Sequence, residues 1–302
     1  MPGRQHAHEH RAQTTAGNRR RLFAVLALTG TYLIAEIIGG LLTNSLALLS
    51  DAGHMLTDVA ALLLALIAIH FAERPADPRR SYGYHRLEIL AALFNGVTLL
   101  LITAFIVYEA IARLQQPPAV QGLGLLVIAS GGLLVNLASA AILHRGHAHS
   151  LNIRAAFYHI LGDALGSLAA IVAGILILTL GWTLADPILA IGIALLIAIS
   201  AVGLIREAVD VLLEATPRHI DTEELRAALL AMPGVTGVHD LHIWTLTTGL
   251  YALSCHVVVD GAAFTCDKLA EIRHLLHDRY GVPHMTVQME TAEMAAEEDI
   301  HL

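Results

Sequence analysis

The chain has 302 residues, 56 % of them hydrophobic and 15 % charged, with a net charge of −8 at pH 7. Soluble domains run at about a quarter charged, so this balance, with a mean hydropathy of +0.63, points to a membrane protein carrying a smaller soluble part. The acidic net charge gives no support to nucleic-acid binding. Residues 1–18 are polar and carry His6, His8 and His10, with Arg19, Arg20 and Arg21 just after. That start is too polar, and the apolar run behind it too long, for a cleaved signal peptide. Apolar runs able to cross a bilayer are predicted at about 22–42, 46–71, 87–112, 121–143, 153–180 and 187–206.

Six spans put both ends of the chain on one side. Arg4, Arg11 and Arg19–Arg21 precede the first span, Arg74, Arg79, Arg80 and Arg86 follow the second, and Arg145 and Arg154 follow the fourth. The opposite side has only Arg113, between spans 3 and 4. The positive-inside bias therefore predicts cytoplasmic termini. The short polar termini and the lack of organelle signals suggest a bacterial inner membrane.

After about Arg206 the charges become regular and no further span appears. Asp221 reads as a helix N-cap with Glu224 as its capping-box partner, and Met232-Pro233-Gly234 as the helix stop. Val235 to Leu246 and Tyr251 to Asp260 read as strands joined through Thr247-Thr248-Gly249-Leu250, Lys268 to Arg279 as a helix, and His284 to Glu290 as a half-buried strand. The expected organisation is a His-containing tail over 1–18, an all-α membrane domain of six helices over 19–207, and a small α+β cytoplasmic domain over 208–302. Cys255 and Cys266 form no C-x-x-C and no disulfide framework, and are expected reduced in a cytosolic domain.

The chemistry is concentrated in a short pattern that occurs twice within apolar runs: His54-Met55-Leu56-Thr57-Asp58 and His159-Ile160-Leu161-Gly162-Asp163. Residues four apart share a helix face, so each copy presents an imidazole and a carboxylate together. One such pair would equally suit a satisfied helix-end His and Asp. Two pairs at identical spacing, where ionisable groups are expensive, point to an ion site. Together they offer two His and two Asp, a set suited to zinc or a similar dication. The 18 His, as many as Lys and Arg combined, agree with metal handling. Protons and metal compete for the same lone pairs of His and Asp, so one ligand set can couple the two without a separate proton site. Gly162 and Gly166, and Ala52 and Gly53 beside His54, allow close helix approach.

Other polar residues in the spans carry less. Asp51, three residues before His54, is either a stage for ions or protons near the site or a helix-end polar residue. Asp186-Pro187 reads as N-cap and first helical position of span 6. Glu36 and Glu109 do not read as ligands. His70 is an interfacial residue ending span 2, and His274 and His277 are a solvated helix face. His85 and His284 are candidates for an interface metal site between the membrane and tail parts.

Three stretches carry a resemblance: Asn44 to Asp58 (NSLALLSDAGHMLTD), Tyr82 to Glu88 (YGYHRLE) and His149 to Gly166 (HSLNIRAAFYHILGDALG), with His239 to Trp244 (HDLHIW) in the tail. They resemble the cation diffusion facilitator family, in its zinc-transporting branch, over nearly everything from Arg19 to Glu290. The resemblance implies a homodimeric exporter of Zn²⁺ in exchange for H⁺, with a ferredoxin-like, metallochaperone-like cytoplasmic domain. It implies that His54, Asp58, His159 and Asp163 are the transport site between spans 2 and 5. It also implies that His239, His256 and Glu290, with His242 and Gln288 close by, bind regulatory zinc in the tail. Cd²⁺ and Co²⁺ are further candidate ions. One departure is the short His144-Arg-Gly-His147-Ala-His149 loop, where many relatives carry a long His-rich one. Two other classes compete: an intramembrane metal-dependent hydrolase, though the usual His-Glu-x-x-His is absent, and a membrane metal sensor signalling through its tail.

Overall fold

The computed structural model describes residues 24–72, 77–144 and 151–296, with 61–72 and 151–159 described by backbone alone. Helix α1 (Ala24–Thr43) is followed by α2 (Leu46–Ala72), α3 (Arg86–Gln115), α4 (Gly122–His144), α5 (Leu151–Leu180) and α6 (Ala185–Leu212). Five of these, α1, α3, α4, the Ile160–Leu180 part of α5, and α6, are long and apolar enough to cross a membrane. With α2 they make the six expected helices. Ile34, Leu42, Phe105, Tyr108, Leu165 and Ile199 are 60–71 % exposed. So much outward apolar surface on long helices is what a lipid environment requires, because the helices satisfy their own backbone.

The chain divides into two compact units: residues up to Leu63 with Phe94–Gly203, and Leu64–Leu93 with Leu204 onward. The core of the first is rich in small residues: Ala47, Ala110, Ala129, Ala170, Ala173, Ala190 and Ala194 pack with Leu48, Ile106, Leu125 and Ile177. Between helices already surrounded by lipid-like side chains, small residues let backbones approach and gain contact area. The turn from α1 to α2 is tied down on both sides. The Thr43 carbonyl accepts from the Gln121 amide at 3.0 Å, and Arg113 donates to the Asn44 carbonyl at 2.7 Å. Glu109 holds that arginine through its Nε at 2.9 Å, which accounts for an acid near the helix end without any metal.

Two sequence expectations about helix ends shift. The helix of span 6 runs through Arg206 to Leu212, so the change of composition falls inside a helix. It also begins at Ala185, so Asp186 lies within the first turn of α6 and is not its cap.

The second unit holds the tail: α7 (Thr222–Leu230), β1 (Val235–Thr247), β2 (Leu250–Val259), α8 (Cys266–Tyr280), β3 (His284–Glu290) and the short α9 (Ala292–Ala295). The sheet order is β1-β2-β3, with β1 antiparallel and β3 parallel to β2. Leu225 and Leu229 of α7, Ile272 and Leu276 of α8, and Ile243, Leu253 and Val257 of the sheet are buried together. Asp221 caps α7 by accepting from the Glu223 and Glu224 amides. The Glu224 carboxylate does not close a capping box as expected; Arg279 takes it at 2.7 Å. In the same unit the start of α3 engages the β1–β2 turn. Glu88 accepts from the hydroxyls of Thr247 and of Thr248, the latter at 3.1 Å. Arg86 pairs with Glu214 at 2.7 Å.

Candidate metal centres

The first His-x-x-x-Asp copy lies on α2 and the second on α5. His54 Nε2 is 3.5 Å from Asp58 Oδ2 and 3.6 Å from Asp163 Oδ1. One imidazole nitrogen thus faces a carboxylate of its own helix and one of α5. The side chains are partly to largely buried: 17 % exposed for His54, 34 % for Asp58 and 11 % for Asp163. His159 is on α5 one turn before Asp163, and its side chain lies outside the described residues. Two carboxylates and an imidazole that converge in a low-dielectric setting favour a dication, which offsets both negative charges.

Polar residues line the neighbouring turns. Asp51 and Glu36 are 4 % and 1 % exposed, and their carboxyls lie within hydrogen-bonding reach of each other, with Tyr32 beside Glu36. A Cβ at Gly166 would stand 3.2 Å from Asp51 Oδ1, so this glycine lets α5 close on α2 beside the site. Gly162, its partner in the small-x-x-x-small pattern, has nothing among the described residues within 4 Å of such a Cβ; the pattern is there, but among the described residues only Gly166 meets a neighbour. Asn136 donates to the Ser167 hydroxyl at 3.3 Å. From the sequence Glu36 was only an acid in a span that did not read as a ligand, and the α4–α5 polar pair did not stand out, because single polar residues in spans carry no spacing signal.

The tail holds a second cluster. His239 Nε2 is 3.0 Å from Glu290 Oε2, and His256 Nδ1 is 2.8 Å from Glu290 Oε1. The candidate ligand atoms of these three residues all lie within 4.8 Å of one another. Glu290 is 1 % exposed and each histidine 22 %, so the site opens on the imidazole side. Asp240 lies 3.5 Å behind His239 Nδ1, the place from which a carboxylate orients a ligating imidazole. His239 and His256 are cross-strand partners. A bulge follows His239, with Asp240 at φ +46°, and sets His242 opposite Ser254. Glu290 lies at the other side of the His239–His256 pair, opposite Val258. His242 therefore shares the polar face but not the cluster. Gln288 donates to Glu290 Oε1 at 2.7 Å and acts on the carboxylate.

Cys255 is 1 % exposed on the opposite face, and burial pushes its thiol up to about 12. Cys255 therefore faces the tail core rather than the His239–His256–Glu290 cluster. The proposed His85–His284 pair is not brought together by any contact among the described residues. His284 meets the Tyr82 ring edge-on at 5.5 Å, and His85 lines a concavity of about 370 Å³ with Arg79, Arg80, Arg86 and Glu214. The loop over 145–150 and the N-terminal histidines lie outside the described residues.

Comparison with known proteins matches both the membrane part and the tail of the chain. The family described as cation efflux transmembrane domain matches residues 22–213, and that described as cation efflux protein, cytoplasmic domain, matches residues 217–292. The cation efflux system protein CzcD of Alcaligenes sp. (strain CT14) is 44 % identical over 291 residues, 96 % of this chain and 91 % of that protein. The cadmium, cobalt and zinc/H(+)-K(+) antiporter of Bacillus subtilis (strain 168) is 45 % identical over 287 residues, 93 % and 92 % of the two chains. The zinc transporter ZitB of Escherichia coli (strain K12) is 43 % identical over 289 residues, 94 % and 92 %.

Proposed function

We propose that this chain, which belongs to the cation efflux family of membrane transporters, exports Zn²⁺ from the cytoplasm in exchange for H⁺. The observation that carries this reading is His54 Nε2 set between Asp58 and Asp163 at 3.5 and 3.6 Å. His159, one turn from Asp163 on α5, is the fourth ligand in this proposal. Imidazole nitrogens favour zinc over harder ions, and the relatives' names add cadmium and cobalt as further cargo. Ligands that must be deprotonated to bind metal release it when protons arrive, so alternating access around this set exchanges one for the other. The named H⁺ and K⁺ of the Bacillus relative support a coupled ion.

The rest of the architecture follows from the same reading. The membrane part over 19–207 works as a homodimer in a bacterial inner membrane, with both termini in the cytoplasm. The tail over 208–302 joins the dimer and binds regulatory zinc at His239, His256 and Glu290. An intramembrane hydrolase is set aside by the family.

The test is zinc flux in proteoliposomes with a zinc-sensitive dye inside and an imposed pH gradient. Asp58→Ala and Asp163→Ala are expected to insert normally and to lose proton-driven flux. Each leaves the dication under-compensated in low dielectric, a loss of about 3–5 kcal/mol. Flux near the wild-type rate in either variant would sink the site assignment.

A further inference from the structure

Asp186 is completely buried, and the proposed transport site does not use it. It belongs to α6, but its bonds go to α2. Its Oδ1 accepts from the Ser45 hydroxyl at 2.5 Å and from the Ala47 amide at 3.3 Å, and its Oδ2 accepts from the Leu46 amide at 2.7 Å. The Ser45 oxygen in turn accepts from the Leu48 amide at 3.3 Å. The first three amides of α2 are thus satisfied, two of them by a residue some 140 positions away in the chain. A carboxylate at a helix N-terminus is favoured by the exposed amides and the dipole, and more so away from water. Ser45 alone would serve as an ordinary N-cap. What Asp186 adds is a link between helices: it fixes the start of α2 to α6.

The consequence lies further along α2. His54 is nine residues from Ser45, about 13 Å along a helix that rises 1.5 Å per residue. A helix is stiff over that length, so the height and rotation of its pinned end set where His54 and Asp58 meet Asp163. We infer that Asp186 is a positioning residue for metal transport. It pins the Ser45 end of α2 to α6, and α2 carries its ligand pair about this fixed point. The inference rests on the transport reading for its effect on flux, while the pin itself is observable without it.

The experiment uses full-length protein in liposomes, with Asp186→Asn, Asp186→Glu and Ser45→Ala beside wild type. Asn keeps the shape but turns an amide N–H₂ towards donors. Hydrogen exchange over residues 45–48 should accelerate in Asp186→Asn. Per inserted dimer, its half-saturating zinc should rise about tenfold or more, the scale of a small ligand misplacement, and its zinc-to-cadmium flux ratio should change. Asp186→Glu should recover part of both. If remaining flux keeps the wild-type half-saturation and metal ratio and only the yield of inserted protein falls, the residue is merely structural and the inference is overturned. Should Asp186→Asn not insert, Ser45→Ala decides. It removes one donor of three and should give smaller shifts in the same direction; loosened amides with unchanged half-saturation would overturn the inference. Persistent flux in Asp58→Ala would strike the transport site instead, and exchange over residues 45–48 would still report the pin.

Discussion

Glu290 receives His239, His256 and Gln288 on a carboxylate that is 1 % exposed. A carboxylate withdrawn from water is held by hydrogen bonds or by a compensating positive charge. A bound dication would supply that charge, with both histidines turned to it as ligands. Glu290→Gln keeps the shape and removes the charge and one strong oxygen donor. Its expected effect is a fall in tail zinc affinity of at least about tenfold to a hundredfold, the loss that even outer-sphere changes produce. Calorimetry in an Asp58→Ala background keeps the transport site silent, and an isotherm unchanged by Glu290→Gln rules the cluster out as a zinc site. Flux in the otherwise wild-type chain should persist, with activation moved to higher zinc. Alternation along β2 and β3 was enough to put His256, Gln288 and Glu290 on one face and Cys255 on the other. The bulge at Asp240 was not legible, because positive φ at an aspartate leaves no mark in hydrophobic periodicity. That bulge decides which of His239 and His242 joins the cluster.

Among the helices, the contact between α1 and α4 shows how little room the sequence leaves. Tyr32 donates its hydroxyl to the Ile128 carbonyl at 2.7 Å, and a Cβ on Gly132 would stand 2.5 Å from that hydroxyl oxygen and 2.8 Å from Cζ. Gly132→Ala must therefore push the ring off its acceptor. Overpacking of this kind costs about 1–3 kcal/mol, read as a lower midpoint of thermal unfolding in detergent. A midpoint equal to wild type would mean that α1 shifts without penalty. Length and apolarity made the six helices legible to within a few residues at most ends. Their neighbours were not. Gly162 and Gly166 form one pattern on α5, yet among the described residues only Gly166 meets α2, because which face of an almost uniformly apolar helix turns inward is set by partners distant in sequence. Asp186 makes the same point: Asp-Pro reads locally as a cap for its own helix, and the amides it caps belong to α2.

For the whole molecule, sidedness is the property that gives transport a direction, and it was read from arginines alone. Six helices place both ends together, and the cytoplasmic assignment rests on the arginines before α1 and in the α2–α3 and α4–α5 connections, against the single Arg113 opposite. The two cysteines make this testable without engineering, since both are in the tail. Cys266 is exposed and Cys255 buried. Alkylation proceeds through the thiolate, and burial holds Cys255 as a thiol at any pH well below about 12. At neutral pH a membrane-impermeant maleimide should therefore find one reactive cysteine per native chain. If the tail lies on the cytoplasmic side, as the arginine bias predicts, Cys266 should stay unmodified in intact cells. In inverted membrane vesicles the same reagent should add one label per chain, and a second should follow only after denaturation. Modification of intact cells would place the tail outside and reverse the direction in which a proton gradient drives the metal. Two labels on native protein would mean that the β2 face carrying Cys255 opens to water, against the packing of Val257, Ile272 and Leu276 beside it.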